Sequence, residues 1–261
     1  RGEGAVGHGV SHAGVSSRVG LPMVQRPVKK ESLMSEQNNI SPVNPLPPIV
    51  VALFLFIAGI ELMFLLGERG LLGGQEAVGW RNQAINDYSF FNQIFDRMLA
   101  RGEGTASDWM RFVSYPFVHL TFTHTLFVCV FLLALGKMVG EIFAAWAVLA
   151  VFVVSSIAGA LAYGLLLDET FPLIGGYPAV YGLIGAFTFL LWVRLVNDGA
   201  NQFRAFTLIG FLLFIQLIFG LLFGGGMDWV ADIAGFVAGF VTSVFVCPGG
   251  WRYIRARIRR D

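Results

Sequence analysis

Four side chains carry chemistry that is costly where they stand. His119 and His124 lie five residues apart at the head of one apolar run, Tyr177 follows Gly175-Gly176 at the head of another, and Asp232 lies inside a third. Imidazoles move protons near neutral pH, a phenol ionises only at about pH 10, and a carboxylate is a weak base toward such a phenol. An acid in the middle of a membrane helix costs roughly 2.5–3.5 kcal/mol, so Asp232 needs a partner or water, and Tyr177 and His124 are the candidates. An Asp–Tyr or Asp–His hydrogen bond would stitch helices together. Gripping a polar group of another chain and a catalytic role are the other uses open to these residues. Cys129 and Cys247 have neither the number nor the spacing of a disulfide framework or zinc site. Gly175-Gly176 and Gly224-Gly225-Gly226 are not phosphate loops, because no Lys-Ser/Thr follows them. No metal, haem or other cofactor is expected.

The elements that must position these groups belong in lipid. Apolar residues make up 56% of the 261 and charged residues 13%, far from a soluble mix. Windows of about 18 or more apolar residues give six spans: Ile49 to Leu66, His119 to Leu135, Ile142 to Leu167, Ile174 to Val193, Phe206 to Phe223 and Trp229 to Val246. Gly159, Gly176, Gly182, Gly185, Gly235 and Gly239 lace these spans, and small residues let membrane helices approach closely. Glu61 reads as a residue near the outer end of the first span that snorkels to the interface. His119 reads as an interfacial histidine and, alternatively, as part of the site. The segment from Gly67 to Val118 is too polar to cross and too aromatic to be fully solvated, so it is placed in the interface. Within it, Ile94, Phe95, Met98 and Leu99 mark a helix with one apolar face.

Residues 1–47 read as a disordered tail without the pattern of a signal peptide, and residues 1–33 as an extension upstream of Met34. Residues 48–248 form the membrane domain, with residues 67–118 as its interfacial loop, and residues 249–261 form a basic tail. Arg252, Arg255, Arg257, Arg259 and Arg260 make that tail the most basic stretch. With six spans both termini share one side, and Lys137, Arg194 and Arg204 fall on it too, so both termini are expected in the cytoplasm. A net charge of +1 gives no reason to expect nucleic acid.

Three local patterns identify the family. The first runs from Trp109 through Arg111, Tyr115 and His119 to His124, with Gly136 and Glu141 beyond; the second is Gly176-Tyr177-Pro178-Ala179-Val180-Tyr181-Gly182-Leu183-Ile184-Gly185; the third is Ala231-Asp232-Ile233-Ala234-Gly235-Phe236-Val237-Ala238-Gly239. In this order they resemble the rhomboid family of intramembrane serine proteases, over residues 49–247. The resemblance implies an all-α, six-transmembrane-helix bundle whose fourth span starts inside a water-filled outer cavity.

It also implies what is missing. Where the family carries its nucleophilic serine and the following glycine, this chain has Tyr177 and Pro178; where it carries the histidine, Asp232; where it carries the span-two asparagine, Val128. Of the catalytic side chains only His124 remains, with His119 near it. A phenol projects farther than a serine hydroxyl and does not reach the same carbonyl, while Pro178 lacks an N–H and pushes Tyr177 toward extended backbone. Val128 removes an oxyanion donor of a kind typically worth about 3–4 kcal/mol. The reading is therefore a catalytically inactive rhomboid-like protein of a plasma (inner) membrane, which binds transmembrane segments of other membrane proteins in quality control, assembly or trafficking. His119, His124, Tyr177, Asp232 and Phe236 are its candidate client-binding residues. An intramembrane serine endopeptidase by overall similarity, and an accessory subunit of a larger membrane complex docked through residues 67–118, are the alternatives.

Overall fold

A computed structural model describes residues 45–223 and 226–248, with the side chains of some residues in 216–223 not described. Residues 1–44 of the tail expected over residues 1–47, and the basic tail expected over residues 249–261, lie outside the described residues.

Among the described residues nine α-helices follow one another: α1 (Pro48–Glu68), α2 (Trp80–Tyr88), α3 (Asn92–Arg101), α4 (Ala106–Ser114), α5 (Phe122–Gly140), α6 (Ala145–Leu166), α7 (Tyr177–Asn197), α8 (Thr207–Phe223) and α9 (Trp229–Val246). Short 3-10 turns occupy Gly74–Gly79, Tyr115–Phe117 and Gln202–Phe206. Among the described residues the only extended pairing is an isolated bridge between Phe90 and Leu173. Five helices among the described residues are long and apolar enough to cross a membrane: α1, α5, α6, α7 and α9. The fifth expected span, Phe206 to Phe223, forms α8, which at 17 residues is about 26 Å long, slightly short of a hydrocarbon core of ~30 Å.

The second span starts later than its hydropathy suggests. His119 lies in the connector ahead of α5, because Thr121 caps that helix, its hydroxyl accepting from the His124 N–H at 3.2 Å. Upstream, α1 starts with Pro48 in its first turn, where a missing N–H costs no helical bond.

α7 is the central helix. Of its most apolar window 56% is buried, against 28% for α1, so lipid meets α1 far more than α7. Its neighbours are α5, α6 and α9, and small residues set the distances. A side chain on Gly182 would run into Ser155 of α6, one on Gly239 into the Gly182 backbone, one on Gly185 into the Phe236 carbonyl, and one on Gly159 would come within 2.7 Å of Pro178. The glycines legible in the sequence are thus the contact points of α6, α7 and α9, where packing replaces the hydrophobic drive that lipid cannot supply.

The segment between α1 and α5 is not loose. In α3 the buried face is Asn92, Phe95 and Met98, and Phe95 reaches Gly164 of α6. Phe95 and Met98 join Phe90, Phe112, Tyr115, Tyr163, Leu173 and Ala231 in one aromatic-rich core. Asn92 donates to the Leu167 carbonyl at 2.6 Å and so closes the end of α6. Thr105 and Asp108 form a capping box at the start of α4.

Candidate functional site

The N-terminus of α7 is where the expected residues meet. Gly175 takes φ +91°, a left-handed conformation open to glycine, and a side chain there would come within 2.5 Å of the His124 ring. Position 175 therefore requires glycine, both for its backbone conformation and for the room the His124 ring takes. Two residues on, Tyr177 opens the helix and lies flat against His124, with ring centroids 4.8 Å apart and planes at 18°. His124 in turn meets His119 edge-on at 5.0 Å. His119 is 1% exposed, and its Nε2 accepts from the Gly176 N–H at 3.3 Å. An acceptor nitrogen carries no proton, so this ring is neutral.

Pro178 behaves otherwise than its sequence neighbourhood suggests. Tyr177 is not extended; it is the first residue of the helix and Pro178 sits in the first turn, where no intrahelical donor is lost. Pro178 is buried between Gly159 of α6 and Gly235 of α9, so it packs three helices together. Two backbone donors beside Tyr177 are nonetheless unavailable: the Gly176 N–H is bonded to His119, and Pro178 has none. Val128 is fully buried, and a side chain on Gly176 would lie 2.9 Å from it, so this flank of the site is apolar.

Asp232 is 3% exposed in the first turn of α9. It is not without a partner. Tyr115 in the connector ahead of α5, and Tyr177 and Tyr181 on α7, lie within electrostatic range of its carboxyl group. Phe236, one turn further along α9, is half-buried against the main core. The structure thus brings His119, His124 and Tyr177 into contact, and sets Asp232 in the electrostatic field of the same tyrosine. The His124 Nε2 atom is buried and has no hydrogen-bond partner. No cluster of three or more His, Cys, Asp or Glu able to hold a metal occurs among the described residues.

A second polar cluster adjoins the first. Glu61 does not snorkel: it is 4% exposed, and Arg81 of α2 grips both its carboxylate oxygens, at 2.8 and 3.0 Å. Thr125 of α5 donates to Glu61 at 2.7 Å, and Arg81 also bonds Glu68 at 2.7 Å and the His119 carbonyl at 3.0 Å. Burial alone would lower the Arg81 guanidinium, but the hydrogen bonds and charges of Glu61 and Glu68 outweigh it and hold the group above its ordinary value. A bidentate, charge-assisted pair answers the desolvation that an acid in α1 would otherwise suffer. The available signal was Glu61 itself, a carboxylate in an apolar run, for which a buried partner is as good a solution as the interface.

Compared with models of protein families, residues 106–249 match the Rhomboid domain, a stretch that covers α4 to α9 and holds His119, His124, Tyr177 and Asp232, while Glu61 and Arg81 precede it. The chain belongs to the rhomboid family. Comparison with curated proteins returns no match.

Proposed function

We propose that this chain is a rhomboid-fold protein without serine-protease chemistry, and that it binds transmembrane segments of other membrane proteins. The observation that carries the reading is the stack of Tyr177 on His124, 4.8 Å between centroids, at the start of α7. In place of a short hydroxyl nucleophile the site holds an aromatic ring laid over the histidine. Asp232 in place of an imidazole, Val128 in place of an amide donor, and the occupied Gly176 N–H all support the same reading. A cluster of His119, His124, Tyr177 and Asp232 suits hydrogen bonding to an unwound or polar stretch of a client helix better than acyl transfer.

In this reading α8 completes six spans, both termini face the cytoplasm, and the protein resides in a plasma (inner) membrane. The supporting observation is charge: Lys137, Arg194 and Arg204 all lie on the side assigned to the cytoplasm.

Photo-crosslinking in native membranes from probes at Tyr177 and Phe236 tests the proposal, with partners sized on gels and identified by mass spectrometry. Full-length partners are expected. Partners cut near a membrane span would overturn the reading in favour of a peptidase, and one dominant partner in fixed ratio would replace it with an accessory subunit.

A further inference from the structure

We propose that Arg81, held by Glu61, is a positioning residue that sets the N-terminus of α7 through His119. The proposal rests on the client-binding reading for its purpose, but its geometry stands apart from it. The path has two links. Arg81 donates to the His119 carbonyl at 3.0 Å, and the His119 ring accepts from the Gly176 N–H at 3.3 Å. Gly176 precedes Tyr177, the residue stacked on His124. The guanidinium has little freedom to drift: Glu61 holds it bidentately, Glu68 holds its Nε, and the plane lies 5.0 Å over the Phe64 ring. Glu61 is itself held by Thr125, one residue after His124.

The segment that carries Arg81 and the site that carries Tyr177 therefore share one hydrogen-bonded frame spanning α1, α2, α5 and α7. Guanidinium geometry is essential to it. Arginine presents five donors in a flat fork, which lets one side chain serve two carboxylates and a carbonyl at once; a lysine ammonium is a single point and cannot reach all three.

The test is solution NMR on the full-length chain, isotope-labelled at His and Gly, in lipid nanodiscs. In the unaltered protein, coupling across the Gly176 N–H to His119 Nε2 bond must be detected; its absence overturns the proposal at once. Arg81→Lys keeps the charge that neutralises Glu61 and is expected to keep the fold. It should move the His119 Nε2 and Gly176 amide resonances and speed exchange of the Gly176 amide about tenfold, the loss expected for one hydrogen bond. Arg194→Gln, an exposed site at the other end of α7 and outside the cluster, should move neither resonance. A folded Arg81→Lys protein with both signals unchanged overturns the proposal, and Glu61→Gln, read in the same way, decides the matter should the lysine variant fail to fold. Crosslinking from Tyr177 is then repeated in the same variants, with a several-fold fall expected. Altered resonances in a protein that captures no client would sustain the positioning role while removing the client-binding reading.

Discussion

His124 and Tyr177 stack with their planes 18° apart, and the glycine that makes room for the imidazole, Gly175, lies two residues before the tyrosine. The tyrosine is thus an integral packing element of the site rather than a side chain pointing into an empty space. Restoring a serine there removes that packing without supplying a base.

Tyr177→Ser alone is accordingly expected to leave the protein unreactive toward a fluorophosphonate probe and unable to cleave a transmembrane substrate. Adding Asp232→His and Val128→Asn supplies a base and an oxyanion donor; since one such donor is worth about 10²–10³ in rate, measurable labelling should emerge only in the combined variant. Labelling of the single variant would show that the present site is closer to catalysis than proposed.

Asp232→Asn keeps the size and hydrogen-bonding capacity of the residue while removing its charge among Tyr115, Tyr177 and Tyr181. Destabilisation of about 1–3 kcal/mol in detergent-based unfolding is expected, as for other buried charged hydrogen-bond groups. Unchanged stability would rule out a structural stitch between helices and leave client contact as its remaining role.

Gly239→Leu should fail to assemble. The new side chain would meet the Gly182 backbone, which a rotamer change cannot move aside. The cost should exceed the usual overpacking range of ~1–3 kcal/mol, whereas Gly59→Leu on α1, where nothing lies within 4 Å, should be silent in the same unfolding assay.

The start of α4 supplies a pH dependence. Asp108 is held below the usual carboxylate range, first by the Thr105 hydroxyl and then by the Thr105 backbone. Because the folded value is depressed, its contribution is complete above the unfolded value of about 4 and is lost as pH falls through the folded one. Trp109, stacked on Phe112 at 5.7 Å, reports the event. Its fluorescence should change below about pH 4, and Asp108→Asn should show the low-pH spectrum at neutral pH.

Much of this architecture was legible because one-dimensional signals sufficed. The apolar windows locate the five long helices, the glycines mark where α6, α7 and α9 touch, and the spacing of Phe95 and Met98 gives the buried face of α3. The motifs around His124, Tyr177 and Asp232 bring the family into view. What escaped depends on where a turn ends or on residues far apart in sequence. Pro178 looked disruptive because X-Pro disfavours helix for the residue before it, yet a helix that begins at Tyr177 absorbs the ring in its first turn. Glu61 looked like a snorkelling acid because its partner lies 20 residues away, beyond the end of its helix.

That partnership yields the sharpest energetic expectation. Glu61→Leu leaves Arg81 charged and 11% exposed with only Glu68 to answer it, and should cost about 3–5 kcal/mol, the range for breaking a buried pair. Arg81→Met should cost a similar amount, since it strands the Glu61 carboxylate beside Thr125. Glu61→Leu combined with Arg81→Met removes both charges and should cost markedly less than the sum, because neither desolvation penalty is left unanswered. A double-mutant cycle read by thermal unfolding in nanodiscs measures the difference. Additive losses would mean that the two side chains act independently despite the bidentate geometry, and the frame that links α1, α2 and the α7 N-terminus would lose its central joint.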